Sequence, residues 1–166
     1  MSTASAVPAG SAGGIAPIVL RVEVKPAPAR AFALFTSHMG KWWPRGRTPA
    51  PNPHADILIE PHAGGRWFER DAQGNENQWG KVLAWEPPAR VLLGWQLNTE
   101  WRYDPEFVTE VELRFDALEG GGTRVTLEHR NLERFGKDAV AHTAKISTGW
   151  PAMLGIFAQF ADTHPT

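Results

Sequence analysis

Cysteine is absent from the 166 residues. That excludes disulfides, thiolate catalysis and cysteine-ligated metals. No apolar run reaches the ~18 residues of a membrane-spanning helix. The N-terminus lacks a basic segment followed by an apolar core, so no secretory signal is expected and the expected location is the cytoplasm. An excess of one charge sign is also missing, with 17 Lys plus Arg against 18 Asp plus Glu. Such a chain carries no field that would draw nucleic acid or an anionic membrane. Tyrosine occurs once, whereas tryptophan and phenylalanine occur eight times each. Buried indoles need a partner for their N–H, so this many tryptophans imply either an aromatic core or the wall of a cavity.

Catalytic and metal motifs are lacking too. The histidines His38, His54, His62, His129, His142 and His164 form no HxH, HxxxH or HExxH spacing, so no metal site is expected. Gly120–Gly122 lacks the following Lys and Ser/Thr of a phosphate loop, and there is no GxSxG elbow. No cofactor is expected.

What is present is a regular pattern of elements. Met1–Gly14 holds Ala, Ser, Gly and Pro with almost no large apolar group, and reads as a flexible tail ahead of a single domain over residues 15–166. Ile15–Lys25 alternates, with Ile18, Leu20, Val22 and Val24 on one face. Pro28 suits the first turn of a short helix to Ser37, and MGKWWP at Met39–Pro44 reads as a second helical turn. Arg45–Pro53 is a loop, Ala55–Glu60 and Arg66–Asp71 are strands, and Asn77–Asn98 is a hairpin turning at Glu86–Ala89. Its second strand puts Val91, Leu93, Trp95 and Leu97 on one side. Glu106–Leu118 and Thr123–Asn131 form a further hairpin, with Phe107, Val111, Val125, Leu127 and His129 on the apolar face. Leu132–Lys137 reads as a loop. Ile146, Trp150, Met153, Leu154, Phe157 and Phe160 then recur at helical steps, with a bend or break expected near Pro151. The fold class is α+β: a bent antiparallel sheet of about six to seven strands around one long C-terminal helix, with two short helices after the first strand.

The segments VEVKPAPARAFALFT, GKWWP, IEPHAGGRWFER, WGKVLAWEPPARVLLGW, TEVELRF, GGTRVTLEHRNLERFG and GWPAML resemble the START-like, helix-grip superfamily, also called SRPBCC. Within it they resemble the branch named after the activator of heat-shock-protein ATPase homologue. The resemblance spans Arg21 to Phe160. It implies a helix-grip fold with a cavity between the concave sheet and the last helix, in a superfamily of lipid carriers, polyketide cyclases, hydrolases and co-chaperone domains.

The residue pattern reaches the same cavity. Trp95, Phe107, Val111 and His129 point to the concave face, with Trp67 alongside; Trp150, Met153 and Phe157 approach from the helix; Trp42 and Trp43 stand at the mouth. His129 and Glu69 are the candidate acid–base groups, because a titratable side chain among apolar neighbours is a functional candidate. Glu110 and Glu112 read as the solvated outer face. The leading expectation is binding of a small hydrophobic or aromatic molecule. The alternatives are a cyclase, dehydratase or hydrolase in the same cavity, or a chaperone-interacting module. Exposed strand edges could also pair two copies.

Overall fold

The computed structural model describes residues 3–4 and 14–166. The flexible tail expected for Met1–Gly14 therefore falls mostly outside the described residues; Thr3–Ala4 (β1) pairs antiparallel with Leu20 and Arg21. Seven longer strands carry the fold: β2 (Ile18–Val24), β3 (His54–Ile59), β4 (Arg66–Asp71), β5 (Glu76–Glu86), β6 (Arg90–Trp95), β7 (Thr109–Ala117) and β8 (Thr123–Arg130). They form one antiparallel sheet in the order β1-β2-β8-β7-β6-β5-β4-β3. After β2 come α1 (Pro28–Ser37) and α2 (Met39–Trp42), and the chain closes with α3 (Ala139–Asp162).

The alternation read from the sequence is the alternation that folds. Leu20 pairs with Leu127, Leu127 with Leu113, and Leu93 with Val111, so one face of four adjacent strands is a continuous apolar surface. These side chains are fully buried. The β7–β8 turn needs left-handed backbone at Gly120, Gly121 and Gly122 (φ 87°, 110° and 87°), which only glycine adopts without strain. Gly40 lets α2 lie against β3, because a Cβ there would stand 2.6 Å from the Ile57 nitrogen.

Two expectations are corrected. Leu132–Asp138 is a stretch of tight helical turns, not a loop; Leu132 and Phe135 anchor it in the core and Gly136 (φ 80°) redirects the chain into α3. And α3 runs unbroken through Pro151. Proline at that position removes the donor to the Ser147 carbonyl, but Ser147 is exposed, so water can take that carbonyl.

The convex face holds a further departure. Glu112 is buried, not solvated, beneath Arg90, Arg130 (3.1 Å) and Arg114 (3.0 Å). Burial alone would push its carboxyl up, but the hydrogen bonds from Arg90 and Arg130 and the charge of Arg114 outweigh this and hold it below the usual 4.5. A depressed folded-state value means that the network stabilises above pH 4.5 and loses this contribution as pH falls further. Glu112→Gln should therefore lower stability at pH 7 by about 1–2 kcal/mol. The deficit should shrink toward zero in urea titrations run below about pH 4.

Candidate functional site

Aromatic side chains form a continuous chain of contacts between sheet and helices. At one end Phe32 meets Phe115, and Phe35 packs on Trp42 and Phe157 at centroid distances of 5.2 and 5.1 Å. These rings fill that end of the concave face. Trp42 also donates its indole N–H to the Leu34 carbonyl (3.1 Å), which fixes it as core. The chain continues from Trp42 to Trp43, then to Trp79 and Trp150, and on to Trp95 and Trp101.

Around the tryptophans the packing is incomplete. A cavity of about 320 Å³ remains, walled by Trp43, Trp79, Trp95, Trp101 and Trp150. Helix α3 contributes Ile146, Gly149 and Met153 to its side, and Leu97 closes it from beyond β6. Arg47, Thr48 and Pro49, from the loop between α2 and β3, and Lys145 at the start of the helical stripe complete the lining. Trp101 sits at the lip, 37% exposed, and is held at φ 60°. A bulky residue in left-handed backbone is strained by roughly 1 kcal/mol. The turn that holds it is tied by the Asn98 side chain, which accepts from the amides of Glu100 and Arg102. The Trp101 ring rests on His142, with centroids 4.8 Å apart.

The indole N–H groups are mostly used inside the protein. Trp43 donates to the Arg47 carbonyl (3.0 Å), Trp79 to Glu69 (2.8 Å), Trp95 to the Leu97 carbonyl (3.1 Å) and Trp150 to His129 Nδ1 (3.1 Å). These four walls offer ring surface to a ligand and no donor.

His129 lies behind the wall. It is fully buried on β8, between Ile18 and Val111 in the strand register. Because Trp150 can only donate, Nδ1 must be the acceptor, so the neutral ring carries its proton on Nε2 and gives it to Thr109 Oγ1 (2.8 Å). Burial, with a smaller repulsion from His142, pushes its pKa down to about 3. Both nitrogens are engaged and the ring stays neutral at any ordinary pH. The side chain positions Trp150 and does not reach the cavity lining.

Glu69 is likewise inward but enclosed. It accepts hydrogen bonds from the Thr48 hydroxyl (2.7 Å), Trp79 Nε1 (2.8 Å), the Ala50 amide (3.3 Å) and Asn77 Nδ2 (3.4 Å). The carboxylate ties the loop carrying Arg47–Pro49 to the sheet and orients Trp79.

Of the residues expected to bind a ligand, Trp43, Trp95, Trp150 and Met153 line the cavity. Trp42, Val111 and Phe157 are core beneath it, and Trp67 packs behind Trp79 and Trp95. Phe107 precedes β7 and packs on Phe135 (5.1 Å), away from the lining. Sequence reasoning missed Trp79, Trp101, Gly149 and the two cations. Gly149 carried a signal: it shares the 146, 149, 150, 153 stripe of α3. Trp79 lies on β5 as the extra residue between the pairs Trp67–Gly80 and Phe68–Gln78, and the same strand shifts register again between Val82 and Ala84, which makes its face unreadable from alternation.

Among the described residues no His/Cys/Asp/Glu group could hold a metal ion, and no helix is long and apolar enough to cross a membrane. No curated protein sequence matches the chain. Among solved structures, an anthrahydroquino-gamma-pyrone synthase, Txn09, complexed with SUM, is 32% identical over 90% of this chain and 99% of that one, with a TM-score of 0.63. CalC from Micromonospora echinospora, described as a self-sacrificing resistance protein, is 30% identical over 90% of this chain and 96% of that one (TM-score 0.70). The Aha1 dimer from Colwellia psychrerythraea, at 18% identity over 89% of this chain and 97% of that one, shares the fold (TM-score 0.62). The family model described as Activator of Hsp90 ATPase homolog 1-like protein matches residues 26–162. With a half-barrel sheet gripping a long C-terminal helix, and that match over most of its length, the chain belongs to the Activator of Hsp90 ATPase homolog 1-like family, within the START-like superfamily.

Proposed function

We propose that the protein binds a small, flat, hydrophobic molecule in the tryptophan-walled cavity. The observation that carries this reading is a space of about 320 Å³ bounded by five indoles between the sheet and α3. Its size falls at the lower end of the range for small-molecule sites, which fits a bicyclic or tricyclic aromatic. Ring-on-ring contacts with such a guest add about 0.5–1.5 kcal/mol each beyond area burial. Txn09, at 32% identity and described as an anthrahydroquino-gamma-pyrone synthase, supports the same reading.

The lining favours binding over acid–base catalysis. It contains no histidine and no carboxylate. The two candidate acid–base groups, His129 and Glu69, serve Trp150 and Trp79 respectively. A chaperone partner and a homodimer have no residue-level support comparable to the cavity.

The test is quenching of tryptophan emission by a graded series of planar aromatics, naphthalene to anthracene skeletons, against saturated chains of equal carbon number. Saturable quenching at micromolar concentrations by the planar members is expected, together with a raised melting temperature. No member of the planar series moving either readout would overturn the proposal.

A further inference from the structure

We infer that the ligand is an anion: a flat apolar body that enters ring-first, with an acidic group left at the mouth. The inference rests on the cavity being the binding site and goes on to name the charge of what fills it.

The argument is an account of which polar groups in the lining remain free. Four of the five indole N–H groups are bonded to the protein. Thr48 gives its hydroxyl hydrogen to Glu69. The deep wall therefore has no donor left for an accepting group, and a carboxylate placed there would be left without partners. An anionic group on the ligand must stay at the rim.

The rim has one charge sign. Arg47 and Lys145 are the charged residues of the lining, and both are exposed. Among the described residues neither side chain makes a hydrogen bond or ion pair; Lys25, Lys41, Lys81, Lys137 and Arg102 share that state, but Arg47 and Lys145 are the two that line the cavity. The chain as a whole is near neutral, so two unpaired cations at the mouth of one pocket are not the overflow of a basic surface. The third free donor at the rim is the Trp101 indole N–H. All three are donors. Arginine offers a planar fork that matches a carboxylate, and lysine a mobile point charge beside it. An ammonium at the same place would meet two like charges.

The experiment uses three probes with one ring system: 2-naphthoate, 2-naphthamide and 2-naphthylmethylamine, titrated into the full chain at low salt. The expected order is carboxylate tightest, by about tenfold over the amide, with the ammonium weakest. Raising salt to 0.5 M should shrink the carboxylate advantage and leave the amide affinity unchanged. Arg47→Met and Lys145→Met should each remove part of that advantage, and the double variant all of it. Because both side chains are exposed, the melting temperature should hold, which confirms that lost affinity is not lost fold. Equal binding of all three probes would overturn the anion inference and leave the cavity reading standing. Failure of all three to bind would overturn both.

Discussion

Gly149→Leu should fold at least as well as the natural chain and bind aromatic ligands at least a hundredfold more weakly. Gly149 lines the cavity from α3, and a Cβ built there meets no heavy atom within 4 Å. The added Cβ thus meets nothing, and the rest of the leucine side chain extends into space the guest would take. Leucine is also a better helix former than glycine by close to 1 kcal/mol, so the substitution should raise stability slightly. Few changes separate binding from folding this way, because a truncation of Trp43, Trp95 or Trp150 would empty the core as well as the site. The check is a pair of titrations on the same variant: quenching by the planar probe, and chemical denaturation. Unchanged affinity in a stable variant would mean that the ligand sits elsewhere.

His129→Ala should lower stability by about 3–5 kcal/mol, one of the larger effects available in this chain. The ring is fully buried, touches Trp95 at 5.0 Å between centroids, and its removal leaves the Trp150 N–H and the Thr109 hydroxyl without their partner. The same residue sets an acid limit. Its folded-state value near 3 lies below the ordinary 6.5, so the unfolded chain takes up a proton that the folded ring refuses. Stability from this group is fully present above pH 6.5 and is lost as pH falls from there toward 3, by about 1.4 kcal/mol per unit. His142 is lowered chiefly by burial and acts in the same direction, so part of the slope belongs to it. His129→Gln, followed by urea denaturation between pH 7 and 4.5, should flatten the dependence by about half. A variant with the full acid slope would exclude His129 as its source. A loss of ligand turnover without loss of stability in His129→Ala would instead restore an acid–base role to the ring.

His129 shows how an inward placement leaves the surroundings of a side chain undecided. Alternation along β8 put it inward with Val125 and Leu127, and it is inward. Inward positions on this sheet divide into those facing the cavity and those sealed behind an indole, and the sequence pattern has no marker for that division. Trp150 decides it, by covering the ring and taking its Nδ1. Glu69 repeats the case, with Trp79 as the cover.

The chain's own order of residues determined the architecture, since strand and helix periods depend on neighbours two to four positions apart. Alternation marked β2, β6, β7 and β8, prolines and glycines marked the turns, and the stripe from Ile146 to Phe160 marked the helix that the sheet grips. The membership of the cavity was decided only in three dimensions. It draws on two loops, the bulged strand β5, the end of β6 and one face of α3, whose residues lie up to about a hundred positions apart and obey no common period. Which indoles stack into core and which are left facing empty space depends on ring-to-ring contact, and that is a property of the packed molecule alone.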